Sequence, residues 1–133
     1  MHFRKLKESD WDTLQSWWST WPEWTTPSKD FLPGDGTSGF MVEKDGQPIV
    51  ACFVYLTNSK AVLLEWIISN PNYRESDRGL AIEKLIVDTQ DIVKKLGMKY
   101  MFTITRHKHL LKLHEKLGWT KDETPSHELT KIL

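Results

Sequence analysis

The sequence predicts one mixed α/β domain, a mostly antiparallel central sheet of about six or seven strands flanked by about four helices. Three observations carry this expectation. Two strand-like runs, residues 38–43 and 48–56, flank Asp45-Gly46, a strong hairpin signal. Residues 61–69 form an apolar run rich in branched side chains, which Asn70-Pro71-Asn72 stops before apolar residues recur at helical spacing. Residues 100–119 repeat that order with a shorter strand and a second amphipathic helix. A chain of 133 residues is long enough to bury one core without staples, and no repeat or linker interrupts it.

In chain order, residues 2–6 read as the first strand. Ser9 or Asp10 is placed to cap a helix running through Trp11, Leu14, Trp17 and Trp18, which Pro22 breaks. Residues 25–37 are polar and hold two prolines and two glycines, with a short helix expected near residues 28–31. The hairpin strands follow, and Asn58 and Ser59 turn the chain into residues 61–69. Asp77 is positioned as the N-cap of the next helix, whose first turn Gly79 and Ala81 keep free of bulk. Ile82, Leu85, Ile86, Ile92, Val93 and Leu96 then form one stripe, and Gly97 ends it. Residues 100–105 are a further strand, residues 107–117 the last helix, and residues 119–121 and 127–132 the last two strands.

Charged residues make up 27% of the chain and the formal net charge is zero, as in a folded protein rather than a disordered one. The charge is unevenly spread. Residues 1–50 hold five Lys/Arg against eight Asp/Glu, and residues 92–116 hold seven against one. That asymmetry suits an enzyme taking an anionic cofactor and a cationic acceptor; a pair of solvated helices would read the same way. The single cysteine, Cys52, excludes an intramolecular disulfide and a thiolate zinc site, and its apolar setting reads as buried packing. With no apolar leader and no membrane-length run, a soluble cytoplasmic protein is expected. The basic stretch has few interleaved aromatics, so a nucleic-acid partner is not expected.

A strand feeding a glycine-containing loop and a helix N-terminus is a physical anion site, because unpaired amides and the helix dipole point at the same place. Here the residues also carry a resemblance. Glu65 to Ile86, with Pro71, Tyr73-Arg74 and Arg78-Gly79-Leu80-Ala81, resembles the acetyl-coenzyme A motif of the GNAT N-acetyltransferase superfamily. His107 to Trp119, HKHLLKLHEKLGW, resembles that family's later helix, ending in Leu-Tyr-Glu-Lys-Leu-Gly-Phe. The two matches stand in the family's order.

The resemblance implies acetyl-coenzyme A as cofactor and an amine as acceptor. It places Ser76, Asp77, Arg78, Gly79, Leu80 and Ala81 at the phosphates, with Arg74 as a neighbouring cation and His107 at the usual asparagine. The loop departs from the family's pattern: it is two residues longer, Ser76 replaces Gln or Arg, and Asp77 adds a negative charge. The oxyanion donor is implied among the backbone amides of Ile67, Ile68 and Ser69.

Glu65 is the expected base. It is a lone acid in an apolar strand, costly there unless paired or functional, and period-two alternation groups it with Leu63, Ile67 and Ser69. A carboxylate satisfied by a cation across the sheet is the competing reading. His114 stands where the family has its tyrosine acid, and reads either as an imidazolium acid or as a packed histidine. No metal site is expected, since His107, His109 and His114 do not share one helical face. The first helix and its loop wall the acceptor site in the family, which makes Trp21, Glu23, Trp24 and Asp30 an aromatic, acidic pocket for a primary amine. A flap packed on the sheet is the alternative for these residues.

The reading is therefore an N-acetyltransferase acting directly on a small-molecule, polyamine or protein amine. Dimerisation is frequent in the family, so a homodimer is expected by analogy. The rival is a GNAT-like interaction module that has lost its cofactor loop and docks a partner on its tryptophan-rich front.

Overall fold

A computed structural model describes residues 1–133. Five strands form: β1 (His2–Lys5), β2 (Gly39–Lys44), β3 (Gln47–Leu56), β4 (Ala61–Ser69) and β5 (Tyr100–Phe102). Three α-helices accompany them, α1 (Trp11–Thr20), α2 (Arg78–Lys95) and α3 (Lys108–Lys116), with 3-10 turns at Glu8–Asp10, Lys29–Phe31 and Pro33–Gly36. The strands lie in chain order in a single sheet. Neighbours run antiparallel from β1 to β4, and β5 joins β4 in parallel, as the intervening α2 crossover requires.

The strand and helix counts are lower than expected, and the reasons are local. The fourth helix is only the turn at Lys29–Phe31. The strand expected over residues 100–105 stops at Phe102, because the next inward amide, Ile104 N–H, bonds to the Glu65 carboxylate instead of to backbone. Residues 119–121 and 127–132 form no strands. So short a β5 offers little edge to pair with, and Leu129 and Ile132 stay over nine-tenths exposed, at 91% and 92%.

Alternation along β2 and β3 divides the core between two faces. Val42, Val50, Val62 and Leu64 meet Leu85 and Ile86 of α2, while Met41, Ala51, Phe53 and Ile68 meet Leu14, Trp17 and Trp18 of α1. Cys52 is buried on the α2 side, where burial pushes its thiol up to about 12; it is packing, not a nucleophile. Asp10 does not cap α1 through its side chain. Its carboxylate accepts instead from Lys7 N–H and both terminal nitrogens of Arg4, whose Nε reaches Glu43, so β1 is tied to the start of α1.

The feature that shapes the site is a bulge in β4. Ala51 pairs with Ile68 and Phe53 with Glu65, so β4 carries one residue more than β3 between these pairs. Trp66 absorbs it at φ 56°, a left-handed conformation that a bulky side chain adopts only when its surroundings impose it. The expected alternation breaks here. Glu65 lies opposite Phe53, on the α1 side, whereas Ile67 joins Val62 and Leu64 on the α2 side. Leu63, Glu65, Ile67 and Ser69 therefore do not share a face, because the extra residue reverses the phase of everything after it. The strands also crowd together beside the bulge: a Cβ on Gly39 would fall 2.0 Å from the Cys52 carbonyl oxygen, so only glycine fits.

Candidate active site

β4 has nine residues and β5 three, so the two pair only from Ala61 to Leu63. Beyond Leu63 they part. The wedge between them is a cavity of about 370 Å³, lined by Glu65, Trp66 and Ile67 on one side and Ile104 to His107 on the other. Glu23 and Trp24 border it from the loop after α1, His114 from α3, and Glu128 from the C-terminal segment.

Glu65 sits on this wall with Oε1 accepting Ile104 N–H at 2.9 Å and no other hydrogen-bond partner. No cation across the sheet pairs with it, contrary to the competing sequence reading. Burial pushes its carboxyl up to about 7; the Ile104 amide partly offsets this and the Glu128 charge adds to it. A carboxylate titrating near neutrality is half ready to accept a proton and half ready to return one.

His114 is 4% exposed, and its Nδ1 lies 2.7 Å from Leu110 O. A carbonyl only accepts, so Nδ1 holds the proton and Nε2 carries the free lone pair in the neutral ring. That Nε2 is buried without a partner. Gly118, at φ 94°, turns the chain back at the end of α3 and brings Trp119 edge-on to the imidazole, with centroids 4.8 Å apart.

Aromatic packing holds the upper wall. Trp66 donates Nε1–H to Tyr55 Oη, and Tyr55 donates in turn to Phe31 O. Trp24 lies against Trp66 and stacks on His107 at 5.8 Å, so the loop after α1 bridges the wedge to the start of α3. His107, expected at the cofactor, lines the Glu65 cavity instead, with its ring stacked on Trp24.

A second cavity, about 420 Å³, lies between the start of α2 and α3. Ser76, Gly79 and Leu80 line one side, and His109, Leu113 and Lys116 the other. Leu110 borders both cavities, so the two adjoin. Contrary to expectation, Asp77 does not cap α2 with its side chain. Its carboxylate accepts from Lys44 Nζ at 2.7 Å and Tyr73 Oη at 2.6 Å, and those bonds hold it below the usual carboxylate range. The competition for Asp77 leaves the amides of Gly79 and Leu80 without an acceptor at the positive end of an eighteen-residue helix. A Cβ on Gly79 would meet nothing within 4 Å, so this glycine leaves open space rather than relieving a clash.

The remaining expected site residues are dispersed. Ala81 is core, and Ile68 packs on the α1 side. The Ser69 carbonyl accepts Trp21 Nε1–H. Arg74 and Arg78 lie over the Trp21 ring at 5.9 and 5.5 Å instead of lining the groove, and burial, with Arg74 beside it, lowers the pKa of Arg78. Asp30 bonds to Ser28 Oγ and lies away from the cavity. Sequence reasoning missed Glu128, Ile104, Trp66 and Tyr55. Trp66 alone carried a signal, as the neighbour of Glu65; Glu128 sits in a segment whose expected strand does not form.

No family model matches the sequence, and no curated protein sequence matches it. Solved structures do match its fold. One is the ribosomal-protein-S18-alanine N-acetyltransferase from Escherichia coli, at 17% identity over 88% of this chain and 76% of that chain, TM-score 0.71. Another is the aminoglycoside acetyltransferase meta-AAC0020 from an uncultured soil metagenomic sample, solved with trehalose, at 13% identity over 99% and 96%, TM-score 0.70. A third is AAC(6')-Iy, solved with the bisubstrate analogue CoA-S-monomethyl-acetylneamine, at 19% identity over 98% of both chains, TM-score 0.66. The chain has the fold of the GNAT acetyltransferases.

Proposed function

We propose that this protein is an acyltransferase that moves an acetyl group from acetyl-coenzyme A to an amine. One observation carries the reading: a carboxyl that titrates near neutrality stands in a cavity adjoining a groove that ends at two free helix amides. The residues present fit the donor. Gly79 and Leu80 N–H would hold its phosphates, with Ser76 beside them and Lys116 across the groove. Bound there, acetyl-coenzyme A supplies a thioester whose carbonyl carbon an amine can attack.

Glu65 would take the proton that the amine loses as its nitrogen bonds to that carbon. Oε1 is held by Ile104, which leaves Oε2 as the base. The amide of Ile67, past the bulge, is the proposed hydrogen-bond donor to the thioester oxygen. His114, as the imidazolium, is the proposed acid for the departing sulfur; with Nδ1 committed to Leu110, the proton it gives is the added one on Nε2, which returns the ring to its neutral form. Glu23 and Trp24 would wall the acceptor side, whereas Trp21 and Asp30 are left out of the site by their own partners.

The interaction-module reading depended on a tryptophan-rich docking front. Trp17 and Trp18 are core, and Trp11, Trp21 and Trp24 are partly buried against it, which does not favour such a front.

A thermal melt with and without acetyl-coenzyme A tests the reading, repeated on Gly79→Glu. The open space around Gly79 lets that side chain be tolerated in the fold while its charge occupies the groove. The expected result is a cofactor-dependent rise in melting temperature that the variant loses while keeping its own cooperative transition. A wild-type protein indifferent to saturating acetyl-coenzyme A would end the transferase reading.

A further inference from the structure

The cavity at Glu65 is asymmetric in charge. Glu23, Glu65 and Glu128 all line it, and the one lysine or arginine on its wall is Arg106. Arg106 does little to neutralise them. Its side chain is 82% exposed, and its bridge to Glu128 is long, at 3.6 Å, on the scale where surface pairs contribute least. Glu128 is therefore a carboxylate at the cavity that a bound cation can recruit without breaking a strong pair.

Acidic residues alone do not make a site, but the cavity also holds a buried nitrogen in need of a ligand. His114 lines it, and the Nε2 of that ring is buried without any protein partner. A polar atom left so in a folded protein marks a place where something else completes the hydrogen bond. Between the carboxylates, Trp24, Trp66 and Leu110 give apolar surface suited to a methylene chain.

We propose that the acceptor is a small aliphatic diamine or polyamine, its reacting amine at Glu65 and its second ammonium held by Glu128. This rests on the transferase reading for the chemistry, but not for the binding. In the transfer itself the nitrogen at Glu65 forms the new C–N bond, the C–S bond breaks, and Glu65 takes the proton. The second nitrogen keeps its proton and its charge throughout. Glu128 is thus a specificity residue, with no part in the bond changes.

The test is a tryptophan-fluorescence titration of the full chain with putrescine, a short diamine, and with n-butylamine, a monoamine of the same chain length, each with and without coenzyme A. Trp24 and Trp66 at the cavity report binding directly. Putrescine is expected to bind about tenfold more tightly than n-butylamine, as an added partly screened ion pair would give. Glu128→Gln should reduce that preference to about twofold or less by weakening putrescine alone. Equal affinities in the wild type, a preference that survives Glu128→Gln, or no putrescine binding at millimolar concentrations would each overturn the proposal. The two readings fail separately: an unresponsive melt with acetyl-coenzyme A removes the transferase, whereas a binder that acetylates monoamines as well as diamines removes only the second ammonium.

Discussion

Along one edge β4 is paired with β3 from Val62 to Ser69, interrupted only at the Trp66 bulge; along the other it meets β5 for three residues. After that, the contact between the two sides is a single amide, Ile104 N–H, on the carboxylate of Glu65. The same strand thus supplies stability from its closed edge and chemistry from its open one. Where backbone pairing continues, its carbonyls and amides satisfy each other and nothing is left to react. Where it stops, a side-chain carboxylate stands in for a carbonyl as acceptor, and its partial burial moves it toward neutrality. The bulge serves both edges, since it shifts the phase of β4 so that Glu65 and Ile67 both reach the cavity from opposite faces.

The open edge can be broken most severely at Glu65. Glu65→Gln keeps an acceptor for Ile104 but has no proton affinity, so acetyl transfer should fall by about 10²-fold to 10⁴-fold. The wild-type rate should rise with pH through about 7, the value that burial imposes on this carboxyl, and the variant should lack that limb. Full activity in Glu65→Gln would transfer the role of base to another group or to water.

The closed edge should cost stability instead. Ile68 is 1% exposed on the α1 side, next to the bulge, and Ile68→Ala should destabilise by about 2–5 kcal/mol. Phe102, on β5, is 48% exposed, and Phe102→Ala should cost less than about 1 kcal/mol. Denaturant unfolding of both variants checks the contrast. Similar losses at the two positions would mean that β5 and its surroundings fold as one unit with the rest of the sheet.

The closed edge is also what the sequence made readable. β1 to β4 and α2 come from alternation, the Asp45-Gly46 turn and a helical stripe, all short-range signals that agree with the packing. Glu65 was legible because an acid in an apolar strand violates that pattern, and its neighbours were not. The Trp66 bulge is a backbone event with no residue signature; a left-handed tryptophan is not a choice that propensity suggests. Asp77 looks like an N-cap from spacing alone, but Lys44, thirty-three residues earlier, and Tyr73 claim it. Residues 127–132 hold Leu129, Thr130 and Ile132, residue types that strands favour, yet a strand needs a partner edge, and β5 is too short to give one. Glu128 reaches the cavity through that irregular segment, which is why local pattern did not reveal it.

The smallest effect separates electrostatics from catalysis at the same residue. In the folded chain Glu65 titrates near 7, against an ordinary value of 4.5, so between those pH values the folded state binds more protons than the unfolded one. Stability must then fall as pH rises through that window and level off above it. The side chain is partly open to solvent, which limits the loss to on the order of 1 kcal/mol. Glu65→Gln carries no such term. It should match the wild type in thermal stability at the acid end of the window and exceed it at the alkaline end, the reverse of its effect on the rate. Parallel melting curves across the window would show that folding does not desolvate Glu65, and a carboxyl with an ordinary pKa would be a poor base for an amine.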